Sequence, residues 1–80
     1  MTLTDSMVPR GTPKGIYKHY KGGLYRVLQE AMHTETKQWF VIYQNIEHGS
    51  FYARPTDMFC EHVKTENGEV QRFKYLRGDV

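Results

Sequence analysis

The sequence predicts an all-β domain of antiparallel strands, and three observations carry that reading. Runs with aromatic and β-branched residues at alternate positions recur along the chain, the period of a half-buried strand. Turn strings containing glycine separate them at Lys21-Gly22-Gly23, His48-Gly49-Ser50 and Asn67-Gly68. No amphipathic helix of useful length, coiled-coil heptad or internal repeat interrupts the pattern.

Residues 1–12 are polar, lack a hydrophobic period and run into Pro9-Arg10-Gly11-Thr12-Pro13, so they read as a flexible N-terminal arm. The hairpin Gly15 to Val27 follows, with Lys21-Gly22-Gly23 as its turn. Alternation puts Tyr17 and His19 on one side of the first strand and Tyr25 and Val27 on the matching side of the second. The second strand is expected to continue to about Met32, and His33-Thr34-Glu35-Thr36-Lys37 is a polar connection.

Trp39-Phe40-Val41-Ile42-Tyr43-Gln44 is apolar on both faces, the pattern of a central strand and the expected middle of the core. Phe51-Tyr52-Ala53-Arg54 returns beside it. Pro55 removes a backbone donor and ends that strand, so Thr56-Asp57-Met58 is predicted as a short helical turn that drops Met58 and Phe59 onto the core. Glu61 to Lys64 and Val70 to Phe73 are predicted to form a last hairpin around Asn67-Gly68, which suits a type I′ turn. Residues 13–76 thus form one domain, and residues 77–80 are expected to fray.

Gly15-x-Tyr17-x-His19-Tyr20-Lys21-Gly22-x-x-Tyr25-x-Val27, then His33-Thr34-Glu35-Thr36, Tyr43, Arg54-Pro55-x-x-Met58-Phe59 and Arg72-Phe73 resemble the signature of a small bacterial and phage family. That family is catalogued as domain of unknown function sixteen fifty-three. The resemblance runs from Pro13 to Phe73. It implies a small SH3-like β-barrel, here of about five to six antiparallel strands, and implies no activity, so function rests on the residues.

The 80-residue chain has room for one domain, and a chain of that length buries only about 60–65% of its unfolded surface. Aromatic residues make up 14% of it, which gives a small core much buried area from few side chains. A net charge of +2 is too small by itself to imply nucleic-acid binding. Its distribution is more informative: Arg10, Lys14, Lys18, Lys21 and Arg26 fall between Ser6 and Gln29 with no acidic residue among them. Cys60 is the one cysteine, which excludes an intramolecular disulfide and fits a reducing, cytoplasmic setting. The first residues lack the charged and apolar regions of a signal peptide, no apolar run is long enough to span a membrane, and no membrane partner is expected.

The candidate ligand-binding residues are Tyr17, His19, Tyr20, Lys21, Tyr25, Arg26 and Arg54. Aromatic rings stack on flat groups, while imidazole, ammonium and guanidinium hold anions. Two structural alternatives stand beside this reading. Tyr17 and Tyr25 are equally suited to the core, with His19 capping a buried hydrogen bond, and Arg54 is equally suited to an internal ion pair with Glu35 or Asp57. His33, Glu35, His48, Cys60 and His62 lack metal-ligand spacing, so no metal is expected. Cys60 and His62 share a strand face but lack an orienting partner, which leaves Cys60 as a small core residue. Glycine-rich phosphate loops and nucleophile elbows are absent, and neither catalysis nor a cofactor is expected.

The leading expectation is a non-catalytic module for an anionic, ring-bearing ligand, a nucleotide or single-stranded nucleic acid. A phage-encoded version would sequester a nucleotide signal, in a pocket between subunits. The alternatives are an SH3-like protein-interaction adaptor for extended or proline-rich segments and, more distantly, a small enzyme using His19, His33 and Glu35. A barrel this small with this many aromatic residues also leaves apolar surface that a homo-oligomer would cover.

Overall fold

A computed structural model describes residues 11–78. The predicted arm before residue 11 and the last two residues of the predicted frayed end lie outside the described residues. Seven strands and one helical turn follow in the order β1 (Gly15–His19), β2 (Leu24–Met32), β3 (Trp39–Asn45), β4 (Phe51–Pro55), α1 (Thr56–Phe59), β5 (His62–Thr65), β6 (Gly68–Gln71) and β7 (Phe73–Arg77). The all-β class and the helical turn stand where the sequence put them, with one or two strands more than expected. All pairings are antiparallel. Five strands form one sheet in the order β4-β3-β2-β1-β7, with β4 and β7 as edges, and β5 and β6 form a separate ribbon.

The opening hairpin has the predicted turn, with Gly22 and Gly23 both at positive φ (104° and 88°), and Tyr17 faces Tyr25 across it. Beyond Val27 the register with β3 shifts by one residue before Gln29. Such a bulge bends its strand and increases local twist, and it lets the nine residues of β2 serve both β1 and β3. Period two then turns Tyr17, Val27, Val41 and Tyr43 inward, where they meet Phe59 of α1 and Phe73 of β7 in one buried cluster.

Several expectations are corrected. Strand β3 is not sealed on both faces: Val41, Tyr43 and Asn45 are buried, whereas Phe40 and Ile42 are half-buried beside Met32 and Ala53 in a shallow apolar cleft. The centre of the sheet is β2. In α1 only Thr56 and Phe59 are buried, and Met58 is exposed, because one turn presents one narrow face to the core.

The predicted last strand is two strands. Arg72 donates its backbone N–H to Glu61 O (3.1 Å), just before the ribbon strand β5, while its carbonyl accepts from Tyr20 N (3.0 Å), just past the end of β1. The chain changes sheets at that residue, and β7 then runs antiparallel to β1 as far as Arg77. The ribbon turn is Glu66-Asn67 rather than Asn67-Gly68, since Gly68 already pairs with Thr65. Cys60 is the C-cap of α1, not a strand residue, and packs on the core with Sγ 3.9 Å from Thr12 Oγ1. It shares no strand with His62.

Candidate functional site

Side chains from all five strands of the main sheet line a cleft of about 210 Å³: His19, Tyr25, Tyr43, Tyr52, Arg54 and Phe73. Tyr43 and Tyr52 are cross-strand partners in β3 and β4, and period two carries Arg54 to the same face as Tyr52. Its Nε donates to Tyr43 Oη (3.2 Å), and its guanidinium carbon lies 5.9 Å from the Phe73 ring centroid, within cation–π range. The Tyr43 phenol accepts from Arg54, so its own proton is left to donate.

Among the described residues no carboxylate lies within ion-pair distance of Arg54. The internal pair with Glu35 or Asp57 is therefore not made. Arg72 provides the contrast: its Nη2 contacts Glu61 Oε1 at 2.7 Å, so its charge is already met inside the chain. No acidic side chain lines the cleft.

His19, the last residue of β1, forms its other wall. The imidazole meets Phe73 edge-on (4.8 Å, 77°), tilts against Tyr20 (4.8 Å, 35°) and reaches Tyr25 at 6.3 Å. Its Nδ1 accepts the backbone N–H of Lys21 (3.1 Å). This contact requires an unprotonated Nδ1 and leaves the proton on Nε2 as the free donor. Burial, and then the positive charges of Arg54, Arg72 and Lys21, hold its pKa below the ordinary 6.5. His19 is therefore neutral at pH 7.

Between the depressed folded value and 6.5 the unfolded chain binds more protons, so stability rises with pH through that window and is lost as pH falls through it. Thermal midpoints at pH 7.5 and pH 5.5 are expected to differ more for the native chain than for His19→Gln. Equal differences would remove the depressed imidazole from the account.

The structure unites His19, Tyr25 and Arg54 from the predicted set and adds Tyr43, Tyr52 and Phe73. It does not bring in the remaining four. Tyr17 belongs to the core: it is 5% exposed, donates its hydroxyl to Pro13 O (2.7 Å) and meets Phe59 and Tyr75 edge-on. Burial, with Cys60, Tyr75 and Glu30 nearby, pushes its hydroxyl pKa up to about 12. Arg26 lies opposite Ile16 and Gln44, and alternation turns it to the face away from Tyr25. Tyr20 and Lys21 lie in the turn beside the cleft rather than in its lining, with Lys21 Nζ 5.7 Å from the Tyr20 centroid. His33 and Glu35 follow the far end of β2, where His33 Nδ1 accepts the Glu35 and Thr36 backbone N–H groups (both 3.3 Å). The length of β2 separates them from His19.

The residues missed had a usable signal. Placing the Glu47–Ser50 turn between β3 and β4 fixes Tyr43 opposite Tyr52, and counting by two reaches Arg54.

A family model described as "Protein of unknown function (DUF1653)" matches residues 15–75, overlapping the stretch that carries the sequence resemblance. The crystal structure of a protein belonging to DUF1653 from Bordetella bronchiseptica is similar to this chain at 30% sequence identity and a TM-score of 0.80, covering 91% of this chain and 96% of that one. No curated protein matches.

Proposed function

The chain belongs to the DUF1653 family, and from that premise we propose that it is a non-catalytic binding module for an anionic ligand with a flat ring, a nucleotide unit either free or within a single strand. The observation that carries this reading is Arg54, a guanidinium without a carboxylate partner among the described residues, set among aromatic rings. A phosphate accepts well from the remaining guanidinium N–H groups. The neutral His19 Nε2–H and the Tyr43 phenol add uncharged donors, and Tyr25 and Tyr52 offer rings to a base.

All six lining side chains come from one chain, so the reading needs no second copy. No helix among the described residues is long and apolar enough to cross a membrane. The reading takes the cytoplasm as its compartment, supported by a single thiol with no second cysteine.

Calorimetric titration with thymidine 5′-monophosphate tests it. A hydrogen bond to a charged group contributes about 1.5–3 kcal/mol, so Arg54→Gln is expected to weaken binding roughly ten- to a hundredfold. The loss of one contact to Tyr43 lowers the thermal midpoint by no more than about 8 °C. Unaltered affinity in the variant, or no heat from the native protein at millimolar nucleotide, would contradict the reading.

A further inference from the structure

His19, at the end of β1, also lines a second cleft of about 330 Å³, together with Lys18, Tyr20, Val70, Gln71 and Lys74. Lys18 and Lys74 are direct partners in the β1–β7 ladder, both exposed, and alternation turns them to the sheet face away from Tyr25 and Phe73. Like charges facing each other across an antiparallel pair repel. Among the described residues no carboxylate lies within ion-pair distance of either lysine, and none lines the cleft. A lysine on an edge strand guards that edge against pairing with other chains, which accounts for Lys74 on β7. It does not account for Lys18, because β1 is paired on both sides.

The second cleft therefore repeats the chemistry of the first. Arg54 stands with Tyr25, Tyr52 and Phe73 in one, and the lysine pair stands with Tyr20 in the other, where the Gln71 amide adds a donor and an acceptor. The first cleft, at about 210 Å³, lies below the roughly 300–1,000 Å³ of ordinary small-molecule sites. Cation and ring, shared imidazole wall, then ring and cation again is a pattern that a chain of alternating phosphates and bases fills and a single small anion does not.

We infer that the two clefts, on opposite faces of the sheet and meeting at His19 at its end, form one track over that end for a single-stranded nucleic acid of at least two nucleotides, with the first unit held at Arg54 and the next at the Lys18–Lys74 pair. This inference rests on the nucleotide-unit reading of the first cleft and narrows it from a free nucleotide to a strand.

The test compares thymidine 5′-monophosphate with the 5′-phosphorylated thymidine tetranucleotide, by calorimetry at several salt concentrations. Three proteins are needed: the native chain, Lys18→Gln/Lys74→Gln, and Lys37→Gln/Lys64→Gln, which removes the same charge from residues outside both clefts. The native chain is expected to bind the tetranucleotide at least tenfold more tightly than the mononucleotide. The cleft pair of substitutions should reduce that gain to within about threefold, leave the mononucleotide affinity unchanged and lower the log–log salt slope by about 1.4, while the control pair keeps the gain. Equal affinity for the two ligands in the native chain overturns the track and leaves the Arg54 site standing. An equal loss in the control pair also overturns it, because net charge then explains the gain. Failure of both ligands to bind overturns the track together with the reading beneath it.

Discussion

Phe59→Ala is expected to unfold the domain at a temperature lower by about 15 °C or more in a calorimetric scan. Phe59 is 1% exposed and stacks almost parallel on Phe73, with centroids 4.2 Å apart and planes 8° from each other. It also meets Tyr17 and Tyr43, each at 5.4 Å, so its ring is the joint through which α1, β1, β3 and β7 share a core. Deleting a buried phenyl costs about 3–5 kcal/mol in transfer and cavity terms. A domain of this size has only about 4–12 kcal/mol to lose. The same substitution removes the support beneath Phe73 in the cleft floor, so ligand affinity should fall even below the unfolding transition. A midpoint within a few degrees of the native value would mean that α1 does not organise the core.

Gly15→Ala is the second large effect, and it acts through the backbone. Gly15 opens β1 at φ 142°, a conformation that side chains disfavour, and an added methyl would overlap the Arg77 carbonyl oxygen of β7. Backbone at the far side does not yield as a flexible side chain does. The expected cost is about 2–3 kcal/mol, and it should fall on the β1–β7 pairing. Amide hydrogen exchange therefore discriminates: protection should drop along Phe73–Arg77 more than in β3. Uniform loss of protection, or none, would show that this close approach does not govern the docking of β7.

That pairing is also where the sequence was least informative. The opening hairpin was legible because a glycine turn and a period of two act over neighbouring residues, and the structure keeps its predicted turn and puts Tyr17 and Tyr25 on one face, as cross-strand partners. The partner of β1 on its other side comes from the far end of the chain, and no local pattern announces it. Arg72, whose two backbone groups bond residues flanking two different sheets, has the local pattern of the interior of one strand.

The site divides in the same way. Period two gives the face on which a residue lies but not its depth, so Tyr17 and His19 read alike, although one is sealed against Pro13 and Phe59 and the other stands at the strand end. Charge groups Arg26 with the ligand, whereas alternation turns it to the opposite face. Five residues that carry the family resemblance, His19, Tyr25, Tyr43, Arg54 and Phe73, come from five strands and meet only when the sheet forms.

The claim that everything functional depends on is that the Arg54 guanidinium receives an anion between aromatic walls. Two-dimensional NMR that follows the Arg54 Nε–Hε resonance during titration with thymidine 5′-monophosphate reads this directly. The account predicts a saturable shift of that resonance together with the ring signals of Tyr25 and Tyr52, while Tyr17 stays still in its core position. An Arg54 resonance that remains fixed while other signals saturate would contradict it.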